Sequence, residues 1–421
     1  MKAHRFQTGT VIEPFGDDVS DAFIGGRDLG IFVSEALLAA GLEPELGRAE
    51  SPPQEEALLL PDRLFVTSRT LSAFLDACPD EDGVFQLALE RGPAVDYALP
   101  LQEVQEQDGA VAHDLFRTRG VALPRGLAWP ALQRFLRERA RPVRLRPGDE
   151  HEPLIQTRPG PPREVLPLPR TDLLAVDVRH WVHILWLNHL MPALMLAAHW
   201  RQRPLQARAR VGLARCPYER ARRLNVIGKN CDIHPTAYVE GSILGEGVRL
   251  AAFSSVRDSI LGDGVEVGDH TKFLRCVVGE RCHTLNDSTF IACSFYPDST
   301  LANLLARNSV LGRKVFLTSG VMLWDEAIES PVTVSDRGVE VETGRWMLGC
   351  CAGHGSLLGT RAIFLPGRAV PNRTMIVMRP EEGVFKLPAR VEPGAPYVYF
   401  AGRLAPLEQV LPDWQPAEIE P

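Results

Sequence analysis

The sequence predicts an α/β unit over residues 1–175, a connecting helical segment at 176–224, and a left-handed parallel β-helix over 225–379. Three observations carry the β-helix. Aliphatic–glycine pairs recur at Ile227-Gly228, Leu244-Gly245, Leu261-Gly262 and Val278-Gly279, a constant step of 17 residues. Within each lap, bulky residues fall in steps of six, six and five: Ile227, Ile233, Val239; Leu244, Leu250, Val256; Leu261, Val267, Phe273; Val278, Thr284, Phe290. Turn formers such as Gly245-Glu246-Gly247 and Gly262-Asp263-Gly264 separate them. A chain that buries one side chain about every six residues, three times per lap, closes into a triangular prism whose strands stack about 4.8 Å apart. Ordinary strand alternation has period two and generates no such register.

Along the chain from its start, residues 57–62 (Ala-Leu-Leu-Leu-Pro-Asp) read as a buried strand ending in Asp62, and Leu64–Thr67 as a second. Ser68 is the expected N-cap of a helix through Phe74 and Leu75. Val84–Leu89 is a further strand, and Trp129–Arg141 a helix with Leu132, Phe135 and Leu136 on one face. The proline-rich stretch 141–170 is expected to be an extended linker. Trp181–Trp200 is apolar enough to raise the question of a bilayer span, but it holds three histidines, an asparagine and a proline, and a buried helix is expected instead. In the prism the register slackens after Val278. Leu311-Gly312 comes two laps on, with Leu317 and Leu323 in step. Residues 324–346 contain an alternating stretch with a turn at Asp336-Arg337-Gly338, a hairpin-like excursion. The β-helix is expected to resume with Leu358-Gly359, Phe364, Val370 and Ile376, and the tail 380–421 to cap the open end.

The 421 residues are 45% hydrophobic and 24% charged, an ordinary globular composition. A net charge of -7 gives no global basic field for nucleic acid, so none is expected as partner. Eight cysteines without a CxxC pair fit reduced thiols, and the polar start MKAHRFQTGTVIEP is unlike a secretory signal, so a cytoplasmic setting is expected.

The 17-residue lap also identifies side chains that should stack on adjacent coils. His270 and Asp287 are one lap apart, as are Glu266 and His283. In either pair the carboxylate can orient the imidazole as a general base, or the two can form a surface ladder. Cys276 and Cys293 should stack too, as two buried thiols or, with His270 or His283 nearby, as part of a metal site.

These repeats resemble those of the hexapeptide-repeat acyltransferases and nucleotidyltransferases. The resemblance implies a homotrimer and, for the acyltransferases, a coenzyme A thioester as donor. By that resemblance His354, Gly359, Arg361 and Arg368 fall where the late coils meet the acyl carrier, although turn positions explain them as well. The runs LLLPDRLFVTSRTLSAFL and AVDVRHWVHILWLNHLM resemble segments of sugar-1-phosphate nucleotidyltransferases. Carried over by position, they make Asp62 and Asp177 ligands for Mg²⁺, with Asn188 on the following helix. The layout is similar to that of the bacterial enzymes that form UDP-N-acetylglucosamine. It implies a nucleotide sugar or sugar phosphate as ligand. Two departures stand out. The nearest match to that family's phosphate loop is Ile24-Gly25-Gly26-Arg27-Asp28-Leu29, which puts an acid where a phosphate should sit, and no lysine occurs between Lys2 and Lys229. The reading is therefore a reduced nucleotidyltransferase-like unit joined to an acyltransferase-like prism. A non-catalytic binding or scaffold protein and an active nucleotidyltransferase are the alternatives. A gap-free comparison places the acetyltransferase base at Asn286, three residues beyond His283.

Overall fold

The computed structural model describes residues 1–148, 151–156, 164–302, 305–377, 397–400 and 403–410. The chain is an α/β unit followed by a left-handed parallel β-helix. The first unit contains β1 (Lys2–Phe6), α1 (Leu29–Ala39), β2 (Glu43–Gly47), β3 (Ala57–Pro61), α2 (Ser68–Ala77), β4 (Gly83–Glu90), β5 (Ala110–Arg119), α3 (Trp129–Arg139) and β6 (Ala140–Leu145). The sheet order is β6-β4-β5-β3-β1-β2, with β5 antiparallel to both its neighbours. β3 is apolar at every position and buried throughout, as a central strand covered on both faces must be. α2 is capped by Thr67, whose hydroxyl accepts from the Thr70 amide, one residue before the expected cap. β6 starts the stretch expected to be a linker, and it adds parallel to β4 as an edge strand. A two-stranded ladder joins 151–156 to 164–169.

From β1 the chain runs through α1 to β2 on one side, and then returns to β3 on the other. The sheet order therefore reverses between β1 and β3. The connections from the carboxyl ends of these two paired strands run in opposite directions along the sheet, the position at which open α/β sheets hold their ligands.

The prism has three parallel sheets of eight, eight and seven strands. Face one begins with Val226–Ile227, face two with Asp232–Ile233 and face three with Tyr238–Glu240. The first anchor of each of the first four laps stacks as its spacing requires: Ile227 pairs with Leu244, Leu244 with Leu261 and Leu261 with Val278. Phe273, Phe290 and Phe295 form an aromatic stack inside it. Glycine follows the first anchor because the next coil leaves no room for a side chain. A Cβ on Gly262 would lie 2.7 Å from the Glu280 amide nitrogen, and one on Gly279 2.5 Å from that of Pro297. Gly262→Ala is expected to cost about 1–3 kcal/mol by overpacking. Gly92→Ala, with open space around it, should stay within about 0.5 kcal/mol. Equilibrium denaturation of the two variants checks this.

The excursion leaves after Leu323 and returns at Cys351–Ala352. It includes the hairpin Thr333–Asp336 with Val339–Glu342. The β-helix resumes one strand earlier than expected. Ala352 stacks on Leu311, whereas Leu358 stacks on Leu317 and Phe364 on Leu323. Alanine is too small to stand out as an anchor. The expected capping tail lies almost wholly outside the described residues. At the other end, the helix Pro217–Arg223 packs on the first coil, with the Gly241 amide donating to the Ala221 carbonyl at 3.3 Å.

One face of the prism is covered by the chain itself. The outward residues of face one are Ile243, Ile260, Val277, Ser294, Val310 and Cys351, while those of face two include Asp232, Arg249, Glu266 and His283. Ile260, Val277, Val310 and Cys351 belong to the core of the α/β unit. Against them lies α4 (Trp181–Arg201), together with the loops after β1. α4 is the one helix among the described residues long and apolar enough to cross a membrane, and two thirds of its most apolar stretch is buried inside the protein. Apolar doublets such as Ile260-Leu261 and Val277-Val278 are the sequence trace of this covered face: one residue points inward and its neighbour meets the helix.

Candidate functional site

Asp62 follows β3 at the point where the sheet order reverses. Its amide donates to the Phe6 carbonyl at 2.9 Å. Its carboxylate accepts from the Thr8 hydroxyl at 2.7 Å and the Thr8 amide at 3.1 Å. Burial pushes the Asp62 carboxyl up and the Thr8 bonds pull it down. The group fastens the loop after β1. Asp62 lines a cavity of about 560 Å³ with Arg5, Ser20 and Asp28, and a second cavity of about 370 Å³ opens on the far side of Thr8, between Glu13, Arg179, His180 and the hairpin tip at Asp336 and Arg337.

Asp177 ends the strand Ala175–Asp177, which pairs with Leu64–Val66. It is enclosed by two guanidinium groups, Arg63 at 2.6 Å and Arg179 at 2.5 Å. Arg63 also reaches Asp114, which Arg137 holds at 2.8 Å. A carboxylate between two arginines is neutralised by them. Of the two carboxylates expected as Mg²⁺ ligands, Asp62 is thus engaged by Thr8 and Asp177 by Arg63 and Arg179. Among the described residues no group of three or more His, Cys, Asp or Glu side chains is placed to hold a metal.

Asn188 sits on α4 at the junction of the two units. Its amide donates to the Phe23 carbonyl at 2.9 Å and the Ser294 hydroxyl at 3.0 Å, and its oxygen accepts from the Gly25 amide at 2.8 Å. It fastens the prism to the first unit. The segment Ile24–Leu29 is not a phosphate loop. Gly25 and Gly26, at φ +63° and +87°, turn a hairpin that pairs Ile24 with Arg27 and packs on Met195 and Ile260.

On the prism the two carboxylate–imidazole pairs differ. Glu266 Oε2 lies 3.1 Å from His283 Nδ1, a hydrogen bond, and the second Glu266 oxygen meets Arg249 at 3.1 Å. Both side chains are partly exposed on face two, which α4 leaves open. His270 Nδ1 and Asp287 Oδ1 are 3.5 Å apart, and both side chains are well exposed. The His270 ring instead stacks on Phe253, with centroids 5.2 Å apart. Asn286 accepts from the Asp269 amide at 3.0 Å, and Asp269 from that of Ala252 at 2.9 Å, so this amide belongs to a ladder along one corner.

Cys276 and Cys293 belong to another corner column. Ser242, Ser259, Cys276, Cys293 and Ser309 each donate to the carbonyl two residues earlier. The two thiols stand where other coils carry serine hydroxyls. Burial pushes the Cys293 thiol up, away from the reactive thiolate.

The late-coil residues are largely committed elsewhere. His354 Nδ1 accepts from the Arg313 amide at 2.7 Å, and its Nε2 lies 2.9 Å from Asp17, on the loop before α1. Phe15 stacks on its ring. His354 thus joins the two units. Gly359 lacks a side chain because the coil of Ile376 lies above it, 2.6 Å from a would-be Cβ. Arg368 faces Glu340 of the hairpin at 3.6 Å. Arg361 is exposed at a corner, with φ +65°.

Two groups of comparisons bear on this arrangement. A family profile described as GlmU-like, C-terminal hexapeptide matches residues 219–300. No curated protein matches the chain. Solved structures that are similar include a variant of GDP-perosamine N-acetyl transferase from Caulobacter crescentus in complex with CoA and GDP-perosamine. It is 17% identical, with a TM-score of 0.15, over 37% of this chain and 53% of that one. PerB from Caulobacter crescentus, in complex with the same two molecules, is 18% identical with a TM-score of 0.16, over 37% and 54%. The chain spans about half the length of these two proteins. The matched stretch takes in the end of the helix before the prism and the opening laps of the left-handed β-helix.

Proposed function

We propose that this protein transfers an acyl group from a coenzyme A thioester to a nucleotide sugar or related sugar phosphate, with His283 as general base. One observation carries the reading: Glu266 holds His283 Nδ1 at 3.1 Å on a face of the prism that the chain leaves open. A carboxylate at Nδ1 fixes the proton there and leaves Nε2 as the acceptor. His283 Nε2 takes the proton from an acceptor hydroxyl or amine as that atom attacks the thioester carbonyl. The new C–O or C–N bond forms, the C–S bond breaks, and coenzyme A leaves as the thiol. The GlmU-like hexapeptide match supports this reading. His270 with Asp287 is the second candidate for the base. Arg361, exposed on the late coils, is the candidate contact for the phosphates of the donor.

In this reading the protein assembles as a trimer through the prism faces that α4 does not cover, and the α/β unit holds ligand without transferring a nucleotidyl group. A non-catalytic binding or scaffold role is the second reading. It is favoured by the fastening of Asp62 to Thr8 and of Asp177 to Arg63 and Arg179. Those same contacts weigh against nucleotidyl transfer. The test is release of free thiol from acetyl-CoA across a panel of amino- and hydroxy-sugar nucleotides. Thiol release that depends on one sugar nucleotide is expected. A thermal shift with a sugar nucleotide, and no thiol release with any, supports the second reading instead.

A further inference from the structure

Between Arg201 and Arg223 the chain carries eight arginines and one glutamate. That segment is +7 in a chain whose sum is -7, so everything outside it sums to -14. It follows α4 and consists mainly of two short helices, α5 (Pro204–Val211) and α6 (Pro217–Arg223), neither of which has a buried residue. Arg201 meets Asp172 and Arg223 meets Glu219. The guanidinium groups of Arg208, Arg215 and Arg220 have no carboxylate partner among the described residues. Large apolar side chains stand among these charges. Leu205 is 78% exposed, Leu213 80% and Tyr218 62%. The segment is anchored by Trp200, whose ring nitrogen donates to the Leu224 carbonyl at 2.6 Å and whose ring lies under Arg210.

We propose that this arginine-rich helical pair docks the protein on an anionic lipid bilayer. Two features select that partner. The concentrated positive charge complements anionic headgroups, while the rest of the chain is acidic and is repelled by them. The exposed Leu205, Leu213 and Tyr218 reach the boundary between headgroups and acyl chains, as the apolar side chains of an interfacial helix do. A nucleic acid backbone would use the arginines but leave the leucines in water. A second copy meeting this surface face to face would bring +7 against +7. The docking is peripheral, and it is independent of the reaction proposed above.

The test is co-sedimentation of the full chain with vesicles of phosphatidylcholine alone, and of phosphatidylcholine mixed with phosphatidylglycerol. Binding to the anionic vesicles that weakens as salt is added is expected. Replacing three arginines together, Arg208→Gln, Arg215→Gln and Arg220→Gln, should weaken it about a hundredfold. Leu205→Ser with Leu213→Ser should weaken it too, with the melting temperature unchanged in both variants because all five side chains are exposed. Equal binding to both vesicle types, no binding to either, or full binding by the arginine variant overturns the proposal. So does tight binding of a short DNA duplex without vesicle binding. Loss of oligomer mass in the leucine variant, again without vesicle binding, would assign the surface to a second copy.

Discussion

Between pH 7.5 and 5 the folded chain is expected to lose about 6 kcal/mol of stability from three buried histidines. His113, His183 and His189 lie inside the protein, and burial pushes them down to about 4, about 3 and about 4 respectively, from 6.5. In the unfolded chain they titrate near 6.5, so below that pH the unfolded state takes up protons that the native state refuses. The stabilising contribution is fully present above pH 6.5 and is lost as pH falls toward the native values. Each group contributes about 2 kcal/mol of this loss by pH 5, because one pKa unit is worth about 1.4 kcal/mol. Asp325 works in the opposite direction. Burial raises its carboxyl to about 6, although Asn308 donates to it at 2.6 Å. Its protonation restores about 1 kcal/mol over the same interval. A net loss of about 5 kcal/mol is comparable to the whole stability of many domains. Urea denaturation across this pH range measures it. Neither nitrogen of His113 meets a hydrogen-bond partner among the described residues, so His113→Leu removes one titrating group without stranding another. It should flatten the net pH dependence by about two fifths. A stability independent of pH, or a slope unchanged in His113→Leu, would contradict the account.

His283→Gln is expected to lower kcat for acyl transfer by about a hundred- to ten-thousand-fold. Glutamine keeps the polarity of the position but cannot accept a proton near neutral pH. The side chain is partly exposed, so the fold should survive, and an unchanged melting temperature would show it. Glu266→Gln should have a smaller effect, since it loosens the imidazole without removing it. His270→Gln distinguishes the two candidate bases. If His270 is only a ring stacked on Phe253, kcat should change less than about threefold. Steady-state thiol release by the three variants decides between the pairs.

The prism was legible because its rule is local: a residue and its equivalent 17 positions on become neighbours, so anchors and stacked pairs could be found by counting. Glu266 with His283 was identified in that way, and the two lie in hydrogen-bond contact. The resumption was misplaced because Ala352 offers too little apolar bulk to mark a lap. The covered face is harder to read, because in doublets such as Val277-Val278 the period stacks the outward member on its own column but does not say which segment lies against it. Asp62 and Asp177 have the residue type a metal needs. What they do is set by Thr8 and Arg63, which lie 54 and 114 positions away, and no period links them. The same holds for His354, whose partner Asp17 is 337 positions distant.

The proposed function is tested most directly by incubating the protein with labelled acetyl-CoA and the sugar-nucleotide panel, and comparing moles of acylated sugar nucleotide with moles of coenzyme A released. Equal amounts of the two are expected from the native chain, and at least about a hundredfold less of both from His283→Gln. Coenzyme A released with no acylated sugar nucleotide, or equal product from both proteins, would contradict it.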